Sequence, residues 1–278
     1  MIRVKKYVTG DYLEIYAYNL SPQVKVMARA AKAKESTPAQ KKLNNKKAVR
    51  QFIRIVNTNF TWNDFGVELT FDEDHLPEDK KGVRRELKNY FKRLRNAIKA
   101  QGGDPDEMKY IYVMSDRDGK DHSKIVRLHV HMFIKGVSRE LIEDKWTAGY
   151  VNADRLRCDE TGLTGKAKYY STQGLADDKL EKSERTWGKS NNVIVPQPTV
   201  SDKALSRTQM DRIINDPSDG SYIEKLFNAG RKTQWIFTDC KVERDGRELF
   251  GSDIDTGEGM GNSLFIRMRK ETWKHGRK

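Results

Sequence analysis

Cysteine is nearly absent from this chain. Cys158 and Cys240 are the only two in 278 residues, far apart and outside any CxxC spacing. That argues against a cysteine zinc site and against a disulfide framework. Any metal is then a matter for histidine and carboxylate. Long apolar runs are missing as well: the longest are only about half a dozen residues, far below the ~18 that a membrane span requires. The opening, MIRVKKYVTGDYLEIYAYNL, is basic but lacks an apolar core and a small-residue cleavage site, so no secretory signal is expected and the expected location is the cytoplasm. Acidic residues are outnumbered, 40 against 53 Lys and Arg, for a formal net charge of +13. Such a balance favours a polyanionic partner, nucleic acid ahead of an anionic membrane.

The length suits one elaborated domain or two small ones, at roughly 100 to 200 residues per domain. Three regions are expected: a strand and basic helical arm over 1–57, a central domain over 58–200, and an α/β extension over 201–278. Residues 1–20 alternate weakly and suit a strand or hairpin. Between Ser21 and Arg50 nine Lys and Arg stand against Glu35 alone, and Pro38 divides the stretch into two helices. Lys41, Lys42, Lys46, Lys47 and Arg50 there are either a solvated basic face or contacts to phosphate.

The central region alternates between two periods. In DFGVELTF, Phe65, Val67, Leu69 and Phe71 alternate with Gly66, Glu68 and Thr70, the pattern of a half-buried strand. EDKKGVRRELKNYFKRLRNAIKA then places Val83, Leu87, Tyr90, Phe91, Leu94 and Ile98 at helical spacing, a basic amphipathic helix that would pack on the sheet. MKYIYVM and IVRLHVHMFI suit two strands of a hairpin, and Ser138 suits the N-cap of a short helix. WGKSNNVIVPQP suits a loop. After Ser201 two helices precede a β-like ending. The fold class expected is α+β, an antiparallel sheet with helices on one face and a site on the other.

That site starts from RLHVHMFIKG. On a strand, residues two apart share a face, so His129 and His131 project together, ~6.6 Å apart along the backbone. Val126, Leu128, Val130, Met132 and Ile134 form the opposite, apolar face. Two of the chain's five histidines therefore stand side by side on a core strand. Imidazole suits Zn, Mn, Fe or Ni, and Mg where carboxylate and water are added. Glu68, on the polar side of its strand, and Asp116 or Asp118 at the hairpin end are candidates for a third ligand.

GKAKYYSTQ sets Tyr169 and Tyr170 near a helix start, between Lys166 and Lys168 on one side and Thr172 on the other. A phenol of pKa ~10 becomes a nucleophile only beside cations or a polarised phosphate. Taken in order, a basic helix ending in NF, the strand LTF, an amphipathic helix, YIYV, LHVHMFI, WTAGYV and AKYYSTQ resemble the rolling-circle replication initiators of phages and plasmids, in the HUH endonuclease superfamily. The resemblance runs from about Lys32 to Pro198 and is most specific at HVH.

The resemblance implies an HUH/RRM-like fold and an endonuclease that nicks single-stranded origin DNA to start rolling-circle replication. His129 and His131 would hold a divalent Mg or Mn, and a tyrosine, Tyr169 with Tyr170 next, would form a 5′-phosphotyrosine. Single-stranded origin DNA, with the host helicase and polymerase, would be the partners. The family's motif is commonly Tyr-x-x-Lys; here the third residue after Tyr169 is Thr172 and after Tyr170 is Gln173, leaving Lys166 or Lys168 as the cation. The basic residues of 21–50, with Arg84, Arg85, Lys92, Arg93 and Arg95, would hold the phosphate backbone, and Trp187 and Lys189 would line the strand's path. Two other readings stay open: a DNA-binding module of the same fold without catalysis, and a metal-dependent phosphodiesterase that uses water.

Overall fold

The computed structural model describes residues 1–20, 38–117, 124–175, 186–243 and 259–272. In chain order these form β1 (Ile2–Thr9), β2 (Tyr12–Leu20), α1 (Pro38–Asn59), β3 (Phe65–Thr70), α2 (Lys80–Ala100), β4 (Lys109–Arg117), β5 (Ile125–Lys135), α3 (Arg139–Asp144) and β6 (Val151–Arg155). Then follow α4 (Thr164–Leu175), β7 (Trp187–Lys189), β8 (Thr199–Ser201), α5 (Arg207–Asn215), α6 (Gly220–Asn228), β9 (Trp235–Glu243) and β10 (Gly259–Lys270). The fold is α+β, with two antiparallel five-stranded sheets. Among the described residues no helix is long and apolar enough to cross a membrane.

The chain divides into two compact units. The first combines residues 1–58, 159–162 and 195–278, so the expected N-terminal arm and C-terminal extension belong to one body. Its sheet runs β8-β1-β2-β10-β9. Ile2, Val4, Leu13, Ile15, Leu264 and Ile266 turn one face toward Met210, Ile213, Ile223 and Phe227 of α5 and α6. Ser206 and Gln209 close a reciprocal capping box at the start of α5, which fixes where that helix begins.

The basic run after Ser21 was expected to give two helices. α1 is the second; the first lies outside the described residues, as do the side chains of Lys41, Lys42 and Lys46. Arg54, on the same helix, points inward: its side chain is 2 % exposed and its Nε donates to the Glu14 carboxylate at 2.8 Å. The guanidinium also lies 3.5 Å over the Tyr7 ring. Arg50 rests over the rings of Tyr16 and Phe265. Part of the basic charge of this helix is thus committed inside its own unit.

The second unit, residues 59–158 and 163–194, has a sheet of order β6-β3-β5-β4-β7 with β5 at its centre. Val130, Met132 and Ile134 of β5 and Val67 and Leu69 of β3 bury against Val83, Leu87, Tyr90, Leu94 and Ile98 of α2. Each aliphatic side chain buried there contributes roughly 1.5–3 kcal/mol. Ser138 caps α3 by accepting from the Leu141 amide, as the sequence suggests. The Tyr90 hydroxyl donates to the Ile142 carbonyl, tying α2 to α3. The loop expected at WGKSNNVIVPQP contains strand β7, which is only three residues long and so carries no readable alternation.

Replacing Arg54 by Met leaves Glu14 buried without its counter-charge, and should lower the unfolding free energy by roughly 3–5 kcal/mol. The shift of the urea midpoint measures this, and adding Glu14→Gln should restore part of the loss.

Candidate metal centre

Strand pairing sorts the second sheet's other face into rows. One row is Thr70, His129 and Ser115; the next is Asn152, Glu68, His131, Val113 and Trp187; the third is Asp154, Gly66, Phe133, Ile111 and Lys189. Directly paired residues share a face, so the register alone sets Glu68 beside His131. The two histidine side chains themselves are buried. His131 is 2 % and His129 9 % exposed, and helix α4, packed along β4, lays Tyr170 over His131.

The two imidazoles meet Nε2 to Nε2 at 3.1 Å. Two ligands each ~2.1 Å from one ion, at right angles, lie ~3 Å apart, so this separation suits a shared cation. His129 Nδ1 lies 3.0 Å from the Arg127 carbonyl oxygen, so that nitrogen carries the proton and donates. Its Nε2 then keeps a lone pair for a metal. One ligand atom each from Glu68, His129 and His131 falls within 4.8 Å of the others. Two imidazoles and a carboxylate fit Mn or Zn, and Mg with added water. Asp116 sits where the β4–β5 register slips between Ser115 and Arg117, and it is not in the group; Asp118 lies outside the described residues.

Helix α4 gives its two tyrosines opposite surroundings. Leu163, Ala167, Tyr170 and Ser171 fall on one helical face and are buried, while Tyr169 is 48 % exposed. The Tyr170 ring stacks on His131 at 4.4 Å and 16°, and leans on Phe133. Burial holds the Tyr170 phenol well above its ordinary pKa, with the Glu68 and Asp154 charges adding to the shift. It therefore stays protonated and holds His131 in place. The Tyr169 ring centre is 6.0 Å from that of His131, at the rim of a cleft of about 360 Å³. Glu68, Asn152, Asp154, Lys166 and both tyrosines line this cleft.

Lys166 stands three residues before Tyr169 and reaches the cleft over Gly66. A Cβ at Gly66 would lie 2.8 Å from the Lys166 Cε and 3.1 Å from its Nζ, so the strand has a glycine where the lysine crosses it. The amine ends 5.5 Å from the Tyr170 ring centre. Lys168 is exposed and does not line the cleft.

The cations of α2 are elsewhere. Arg84, Arg85, Lys92, Arg93 and Arg95 belong to a helix on the Val130–Met132 face, across the sheet from the histidines. Arg93 donates to the Glu86 carboxylate and to the Lys145 carbonyl. Trp187 and Lys189, by contrast, come onto the histidine face through their pairing with Val113 and Ile111. Lys47 and Arg50 are in the first unit. Sequence reading passed over Asn152 and Asp154, although their alternation with Val151 and Ala153 marked an outward face. No family model, curated protein or solved structure matches the chain.

By isothermal titration with Mn, His129→Ala and Glu68→Ala should each weaken binding about 10- to 100-fold. Asp116→Ala should leave it unchanged.

Proposed function

We propose that the protein cleaves single-stranded DNA by attack of Tyr169 on a phosphodiester, in the manner of the rolling-circle initiators it resembles, and so starts replication at an origin. The observation that carries this reading is the exposed phenol on the rim of a cleft lined by Glu68 and Lys166, with its ring centre 6.0 Å from that of His131. A phenol, a cation and a candidate metal-binding carboxylate at one cleft, with a histidine pair next to that carboxylate, are the parts that transfer to a tyrosine requires. The net charge of +13 suits a polyanionic substrate. Such a substrate also places the protein in the cytoplasm.

In this reaction the Tyr169 oxygen forms a bond to phosphorus as the bond to the 3′-oxygen breaks. The phenol gives up its proton, and the departing oxygen takes one up to become a free 3′-hydroxyl. The 5′-phosphate stays on the tyrosine. An Mg or Mn ion held by His129, His131 and Glu68 would supply Lewis-acid polarisation of the phosphate. Lys166 lies on the tyrosine's own side, where its charge opposes the negative charge growing on the phenol and phosphate. Tyr170 keeps the His131 ring in place and takes no part in bond making. Because the phosphotyrosine ester keeps the energy of the broken bond, the same site can rejoin ends.

Incubation with Mn and a labelled single-stranded origin oligonucleotide, followed by a denaturing protein gel, should show a covalent adduct. Tyr169→Phe should abolish it and Tyr170→Phe should keep it. Cleavage without an adduct would point to a water-using phosphodiesterase, and binding without cleavage to an inactive module. Lys166→Ala should slow adduct formation roughly 10²- to 10³-fold, the scale of losing one charge-stabilising group. Gly66→Ala, whose Cβ would press on the end of that lysine and on the Leu156 side chain, should slow it less.

A further inference from the structure

Strand β6 is the edge of the second sheet, and its outward residues have no part in the chemistry described so far. Val151 and Ala153 face the core, while Tyr150, Asn152 and Asp154 alternate with them on the side of the histidines. Asn152 pairs with Glu68 and Asp154 with Gly66. One step further, the Tyr150 and Thr70 backbones exchange both hydrogen bonds, at 3.2 and 2.9 Å, which brings Tyr150 into the row of His129. Along β6 these three side chains follow at ~6.6 Å intervals.

Tyr150 is 76 % exposed, among the most exposed large side chains of the described residues. Its backbone nevertheless has a fixed position. The Thr70 hydroxyl donates to the Tyr150 carbonyl, and the Trp146 indole donates to the Thr70 carbonyl. The preceding Gly149 has φ 146°, and a Cβ there would lie 2.4 Å from the Thr70 oxygen and 2.6 Å from the Asp72 nitrogen. Only glycine fits that approach, so the turn that presents Tyr150 has little freedom to vary. A ring held out into water on a rigid strand end, in the row of His129 and two strands from it, does nothing for the core.

We propose that β6 is a nucleobase-recognition strip for the nucleotides next to the cleaved phosphate, with Tyr150 as the stacking surface and Asn152 reading a base edge. This rests on the reading of the histidine face as a site for single-stranded DNA. In an unpaired strand each base exposes a flat face that an aromatic ring can cover. An amide offers a donor and an acceptor together, the pair that matches an adenine edge. The row spacing puts the ring level with His129 and the amide level with Glu68 and His131. A phosphate at the metal ligands thus has a base-binding group within one strand step on its β6 side.

The test separates base recognition from catalysis by removing catalysis. Binding is measured by fluorescence anisotropy with the Tyr169→Phe protein in the presence of Mn, on a labelled oligothymidylate and on an abasic strand of equal length. Tyr150→Ala should weaken oligothymidylate binding about 5- to 150-fold. Tyr150→Trp should restore it, and the abasic strand should bind all three proteins alike. Equal affinity of Tyr150→Ala and the parent for oligothymidylate, or the same loss on the abasic strand, overturns the proposal. For Asn152, Ala should reduce the preference for oligodeoxyadenylate over oligothymidylate; an unchanged ratio overturns that assignment. A missing covalent adduct with a Tyr150 effect present would fail the nicking reaction and leave the strip standing. An adduct present without a Tyr150 effect would do the reverse.

Discussion

The second unit depends on the pleat of β5. A central strand buried on both faces must give each face residues that suit it, and successive side chains have no third direction to take. Val130, Met132 and Ile134 meet the apolar face of α2, while His131 and Phe133 meet Tyr170 of α4 and His129 meets His131. A slip of one residue would put two imidazoles into a hydrocarbon core and three aliphatic side chains against the cleft. Each buried polar group without a partner costs on the order of 1–3 kcal/mol, so the shifted pairing is strongly excluded. The two histidines therefore owe their alignment to the apolar residues between them.

From that register the rest of the site follows through neighbours. Glu68 reaches His131 because β3 pairs there, and Asn152 reaches Glu68 because β6 pairs with β3 in turn. Helix α4 adds what a sheet cannot. Adjacent residues on a helix point roughly 100° apart, so two chemically identical tyrosines separate into a buried ring that holds His131 and an exposed phenol. Lys166, one turn earlier, shares the flank of Tyr169, and the glycine beneath it leaves room for its chain. A lysine ahead of the tyrosine can fill the place that Thr172 leaves empty behind it.

How much of this was legible in the sequence depended on the range of the interaction. β3, β5 and α2 were readable because period two and period 3.6 are local, and so was the cap at Ser138. The common face of His129 and His131 was readable for the same reason. The choice of Glu68 over Asp116 was not, since register depends on pairings and a bulge that no local pattern encodes. Nor was the sheet that joins β2 to β10, made by segments from opposite ends of the chain. The amphipathic pattern of α2 showed that it packs on the sheet, but its arginines, expected to hold the phosphate backbone, lie across the sheet from the histidines.

Net charge was the bluntest of the sequence signals. Several arginines that add to the total are matched within the fold, Arg54 by Glu14, Arg267 by Asp239, Arg3 by Asp202 and Arg93 by Glu86. The cleft itself contains two carboxylates, Glu68 and Asp154, against the single amine of Lys166. A positive protein can draw a polyanion to its surface at long range, but this cleft would still repel a phosphate at short range. A divalent cation on His129, His131 and Glu68 would reverse that local sign. In this electrostatic arrangement metal binding and phosphate binding would be coupled, with the long-range charge and the local chemistry doing different jobs.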